Sequence, residues 1–110
     1  MAYLSMTIGD YRQFQLNVSK AGAPVDISNV AALTFTLQHT GGVELARWGL
    51  GTGVAVTNGP AGVAVLTVQP AMLAWASTWQ TLRFTWGLVD FFGNPSQDIE
   101  DGVFQLIPPP

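Results

Sequence analysis

The strongest constraint on the fold is the stretch at residues 58–73, N-G-P-A-G-V-A-V-L-T-V-Q-P-A-M-L. It opens on Asn58-Gly59-Pro60-Ala61-Gly62, a concentration of turn formers in which Gly accepts positive φ and Pro presets φ. The run Val63–Val68 follows, apolar and mostly β-branched, with Thr67 its one polar member. Such a run predicts a central strand buried on both faces. Pro70 ends it, having no N–H to give to a ladder, and Pro-Ala-Met-Leu-Ala fits the first turn of a short helix. Turn, buried strand and helical corner form a unit around which the other strands must be laid.

Those other strands are legible as short alternating runs. Residues 3–8 read as a first strand, closed by Gly9-Asp10. In residues 11–18, Phe14, Leu16 and Val18 alternate with Gln13, Gln15 and Asn17, one buried face and one wet. A turn at residues 20–24 precedes a short edge segment, Val25-Asp26-Ile27, where Asp26 and Ser28 are placed to cap backbone donors. Leu33, Phe35 and Leu37 point inward from the next strand, between Thr34, Thr36 and Gln38. Residues 43–48 set Val43, Leu45 and Arg47 opposite Glu44, Ala46 and Trp48, and a Gly-rich connection leads to Val54-Ala55-Val56.

After the corner, Leu82, Phe84, Trp86 and Leu88 alternate with Thr81, Arg83 and Thr85, the most aromatic strand of the chain. Residues 90–95 form a turn with Phe91 and Phe92 at its tip, residues 98–101 an acidic loop, and residues 102–107 the last strand. Pro108-Pro109-Pro110 can only be extended polyproline, a tail that stops pairing. The expectation is one all-β domain over residues 1–107 with a Pro-rich tail at 108–110. It is an antiparallel β-sandwich of about 7–9 short strands with one short helical corner.

Charge narrows the partners. Charged residues make up only 10% of the chain and hydrophobic ones 48%, about two-fifths of the usual charged share. A surface so poor in charge implies cover by other subunits. The four basic residues, Arg12, Lys20, Arg47 and Arg83, are scattered within a net charge of −3, so no nucleic-acid footprint forms. No cysteine is present, which removes disulfides and thiolate chemistry. No run approaches the ~18 apolar residues of a membrane helix. The start Met-Ala-Tyr-Leu-Ser-Met has no basic n-region, so neither a signal peptide nor a membrane partner is expected.

Motifs for chemistry are sparse, and no catalytic or cofactor-binding residue is expected. His39 is the single histidine, beside a turn and without a nucleophile or carboxylate placed near it. Asp98, Glu100 and Asp101 have oxygen ligands to offer a hard cation, but their spacing matches no loop motif and reads as a solvated loop. A glycosidase pair would need distant carboxylates such as Glu44 and Asp90. Gly49-Leu50-Gly51-Thr52-Gly53 lacks the lysine and following helix of a phosphate loop. The aromatics are more informative. Phe14, Phe35, Phe84, Trp86 and Phe104 stand at core parity, whereas Trp48, Trp75, Trp79, Phe91 and Phe92 stand at strand ends, corners or turn tips. These five are the candidate interface, as anchors for a partner surface or, in the alternative reading, as stacking platforms for carbohydrate on a receptor-binding module.

The order Gly9-Asp10-Tyr11-Arg12-Gln13-Phe14 and then Gly22-Ala23-Pro24-Val25-Asp26-Ile27 resembles the opening of immunoglobulin-like β-sandwich modules of tailed-phage virion proteins, most nearly the N-terminal domain family of baseplate upper proteins. That family's turn, strand, "P-A" corner and final "G-x-F" strand are matched here at residues 22–27, 34–37, 59–71 and 102–106. The family's long receptor-binding or coiled-coil extension has no counterpart in these residues, and tryptophan is more frequent than its pattern carries. The resemblance therefore implies a short tail, baseplate, neck or capsid-decorating subunit, residing in the virion, made in the host cytoplasm and not enzymatic. Its implied partners are other virion structural proteins, met as a homo-oligomer or on a lattice, without a cofactor.

Overall fold

The computed structural model describes residues 2–20, 22–39, 41–76, 79–89, 92–93 and 95–108. They are all-β but for one 3₁₀ turn at Pro70–Leu73. In chain order the strands are β1 (Ala2–Thr7), β2 (Arg12–Asn17), β3 (Ser19–Lys20), β4 (Ala23–Pro24), β5 (Ala32–Gln38), β6 (Glu44–Gly49), β7 (Val54–Asn58), β8 (Val63–Val68), β9 (Gln80–Val89) and β10 (Pro95–Ile107). Two sheets carry the architecture: β1-β10-β9-β5-β6 and β2-β8-β7, with β3 and β4 a small separate hairpin.

Alternation decides which side chains meet between the sheets. Leu33, Phe35 and Leu37 of β5 and Leu82, Phe84, Trp86 and Leu88 of β9 are buried, together with Phe14 and Leu16 of β2 and Ala64, Leu66 and Val68 of β8. Phe14 of the smaller sheet meets Phe104 of the larger edge to face, with ring centroids 5.5 Å apart. Two sheets sharing one apolar core is an arrangement compatible with a β-sandwich. Among the described residues no polar or charged side chain is buried.

Three features depart from expectation. First, β1 pairs with β10 in parallel, Ala2 beside Gly102 through Thr7 beside Ile107, so the pairing is not antiparallel throughout. The chain reaches this geometry because β1 closes the edge of one sheet and the turn at 8–11 carries it directly into the other sheet. Second, the stretch expected as an acidic loop at residues 98–101 belongs to β10, which pairs with β9 from Pro95 onward. A register shift between Ser96 and Glu100 absorbs the irregularity, so a charged run that looks like a loop is held by its partner strand. Third, β8 is central but not buried on both faces. Ala64, Leu66 and Val68 are buried, while Val63, Val65 and Thr67 are only partly covered, because the second layer lies on one side of that sheet alone.

The turns hold the two layers in register. The backbone N–H of Val18 donates to the Gly62 carbonyl at 2.7 Å, and that of Ile27 to the Gly59 carbonyl at 2.8 Å. Asp26 forms the expected local cap: its Oδ1 accepts from the Ser28 hydroxyl at 2.6 Å and from the Ser28 amide at 2.9 Å. The hydroxyl bond first, then the amide bond, stabilises the ionised carboxylate and holds its pKa below the ordinary aspartate value. A depressed carboxylate contributes stability above its unfolded pKa of about 3.9, and that contribution is lost as pH falls through the folded value. Ser28→Ala should raise the Asp26 midpoint toward the ordinary value in an NMR titration. An unmoved midpoint would remove the hydroxyl as the cause.

Candidate functional site

With an apolar core, any site lies on the surface, and pairing shows which surface residues share an end. Arg12 pairs with Val68, and the Ile8 amide donates to the Ile107 carbonyl. Leu106 pairs with Gln80. The start of β2, the end of β8, the start of β9 and the ends of β1 and β10 therefore meet at one end of the fold. Two connections cross there: residues 8–11 between β1 and β2, and residues 69–79 between β8 and β9.

The second connection is built as an anchored corner. Pro70 begins its 3₁₀ turn, and the Met72, Ala74 and Ala76 amides donate to the Gln69, Ala71 and Leu73 carbonyls. Residues three apart eclipse in such a turn, so Leu73 and Ala76 go inward together and are buried. Trp75, between them, is turned outward and is 42% exposed. Its indole Nε1–H donates to the Met72 carbonyl at 3.1 Å. With that donor satisfied, the exposed ring can be covered by a partner at no polar cost. Trp79 follows at 60% exposure, and Tyr11, from the other connection, stands at the same end at 62%.

The structure therefore separates the five candidate aromatics. Trp75 and Trp79 share the corner. Trp48 is no loop-end residue: it lies within β6 opposite Phe35, its ring stacked on Phe35 at 6.1 Å and 6°. Phe92 is exposed in the turn between β9 and β10, at the opposite end, where Val89 pairs with Pro95. Phe91 lies outside the described residues, as do Asp90 and the side chains of Asp98 and Glu100 from the cation and glycosidase readings.

Charge is concentrated elsewhere. Asp101 of the acidic stretch pairs with Arg83 at 3.5 Å, and Glu44 with Arg47 at 2.6 Å, all four on the outer face of the larger sheet and largely solvated. Exposed pairs of this kind contribute little to stability. His39 closes the turn after β5, its amide donating to the Val43 carbonyl and its carbonyl accepting from Gly42. Among the described residues no group of three or more His, Cys, Asp or Glu side chains is placed to hold a metal.

Tyr11 is the member of the aromatic end that sequence reasoning missed. The usable signal was charge: between Arg47 and Arg83 the chain carries no ionisable residue, and the corner lies within that span. No family model matches the chain, and no curated protein matches it either.

Proposed function

We propose that this chain is a non-enzymatic structural subunit of a tailed-phage particle, in its tail, baseplate, neck or capsid decoration, and that its sandwich is immunoglobulin-like. It works by geometry: a rigid pair of sheets holds an apolar end for a neighbouring virion protein to cover. The observation that carries this reading is the grouping of exposed Trp75, Trp79 and Tyr11 at one end, within a charge-poor surface. Exposed aromatics on a pinned corner are what interface anchors require, since little side-chain freedom is lost when they are covered.

Strand order supports the immunoglobulin-like assignment. In that fold one sheet carries strands B, E and D and the other G, F and C, with an added C′ in the variable type. Taking β2, β5 and β6 as B, C and C′, β7 and β8 as D and E, and β9 and β10 as F and G, the orders β2-β8-β7 and β10-β9-β5-β6 follow it. The phage assignment rests on the resemblance at residues 9–14, 22–27, 34–37, 59–71 and 102–106.

Mass spectrometry of purified particles tests the assignment; absence of the chain from them overturns it. Trp79→Ala tests the surface. Truncating an anchor costs about 2 kcal/mol or more, roughly a 30-fold loss of affinity. The variant should keep its unfolding midpoint yet enter particles far less well than wild type. The same exposed rings favour the second reading, a carbohydrate- or receptor-binding module. A saturable change of Trp75 or Trp79 emission on glycan titration, lost in Trp79→Ala, would decide for it.

A further inference from the structure

The two sheets treat their outer faces differently. Along β5 and β9 the outward positions are Thr34, Thr36 and Gln38, and Thr81, Arg83 and Thr85, the polar side of an ordinary alternation. Along β8, the central strand of the smaller sheet, they are Val63, Val65 and Thr67. Val65 is flanked across the ladder by Gln15 of β2 and Ala55 of β7, Thr67 by Gln13, and Val63 by Asn17. Not one of these side chains is ionisable. Arg12, the one charge on β2, shares the inward parity of Phe14 and sits over that ring at 5.5 Å to its centroid. A β-branched apolar spine in a central strand belongs to a sheet covered on both sides, yet among the described residues nothing covers this one.

We infer that a second copy of this chain covers it, the two smaller sheets stacking face to face about a two-fold axis with Val65 near its own image. Two properties of the face select a copy of itself. The chain is acidic, with a net charge of −3, so most surfaces brought against their own image oppose like charges, and this face opposes none. Its polar groups are also self-complementary. Amides donate and accept equally, so Gln13, Gln15 and Asn17 can pair with their counterparts across a two-fold. They are already ordered on the face: Gln15 Nε2 donates to Asn17 Oδ1 at 2.9 Å and Gln13 Nε2 to Thr67 Oγ1 at 3.3 Å.

The footprint sets the strength. Three strands about 4.8 Å apart with six residues at about 3.4 Å rise cover roughly 300 Å² per copy, well below the ~800 Å² per partner of a stable dimer. The contact is therefore weak in solution and effective where subunits are held at high local concentration, as on a lattice. It is separate from the aromatic end and does not depend on the assembly role proposed above.

Sedimentation of the whole chain from about 10 µM to about 1 mM tests this. The weight-average mass should climb from 11.7 kDa toward twice that value. Added salt to about 1 M should leave the dissociation constant within about twofold, because no ion pair is screened. Gln15→Lys, at an exposed position that cannot disturb the core, should weaken the dimer at least about tenfold by setting like charges across the axis. Amide shifts in wild type on dilution should centre on Gln13, Gln15, Val63, Val65 and Thr67. A monomer at every concentration overturns the inference and leaves the face to a different polypeptide. A dimer indifferent to Gln15→Lys, with shifts centred on Trp75 and Trp79, also overturns it while supporting the aromatic end as the assembly surface.

Discussion

Gly62→Ala should cost the domain about 3 kcal/mol or more, a large share of the ~5–15 kcal/mol that holds a domain of this size together. Gly62 closes the turn between β7 and β8 with φ at +72°, a region L-residues enter at a cost of roughly 1–2 kcal/mol. The greater penalty is steric. A Cβ there would collide with the Val18 carbonyl oxygen and come within 2.6 Å of the Val25 carbonyl oxygen. Neither atom can yield cheaply. The Val18 carbonyl accepts from the Val25 amide, and the Val18 amide donates to Gly62 itself, so the added methyl pushes on the bonds that join β7–β8 to the exit of β2. Gly42 is the control: its φ is +96°, but a Cβ there meets nothing within 4 Å, so Gly42→Ala should show the backbone penalty alone. Urea midpoints of the two variants check this. Equal shifts would mean that the close packing at Gly62 is not what makes it necessary.

Phe35→Ala should cost about 3–5 kcal/mol, the range for removing a fully buried aromatic ring. Phe35 is fully buried, and four rings meet it. Phe84 stacks at 5.4 Å, Trp48 lies parallel at 6.1 Å, and Trp86 and Phe104 approach edge-on at 5.1 and 6.0 Å. Trp48 and Trp86 are also its direct cross-strand partners on β6 and β9. Truncation leaves a cavity at the point where three strands of the larger sheet and β10 converge, and removes one member from every aromatic pair. The near-UV circular dichroism of the tryptophans should collapse together with the unfolding midpoint. A variant that keeps both would place the centre of the core elsewhere. By contrast, Trp79→Ala removes a ring that is 60% exposed and should leave the midpoint almost unchanged.

The buried rings and the exposed ones differ in how they could be read. Leu33, Phe35 and Leu37 alternate with threonines and a glutamine, and Leu82, Phe84, Trp86 and Leu88 follow the same rule, so both inward faces were legible from period two alone. Pro70 likewise announced the end of β8 and the start of a helical corner, because a missing N–H acts on the ladder wherever it falls. These are local facts, determined by the pleat and by the covalent structure of single residues. The sequence by itself determined an all-β chain, its main core faces and its turns.

Pairing and end-to-end placement were decided elsewhere. The parallel union of β1 with β10 joins residues about a hundred positions apart, and the stretch at 98–101 became strand because β9 was there to receive it, despite its charge. Trp75 and Trp79 joined Tyr11 at one end, Phe92 went to the other, and Trp48 turned onto Phe35, although all stood in similar-looking sequence. The outer face of β8, apolar in sequence yet uncovered in the fold, became visible only once the sheet order was known. Only the tertiary structure decided these, because strand register and partner choice depend on which distant backbone offers its hydrogen bonds, and alternation along one strand carries no information about that.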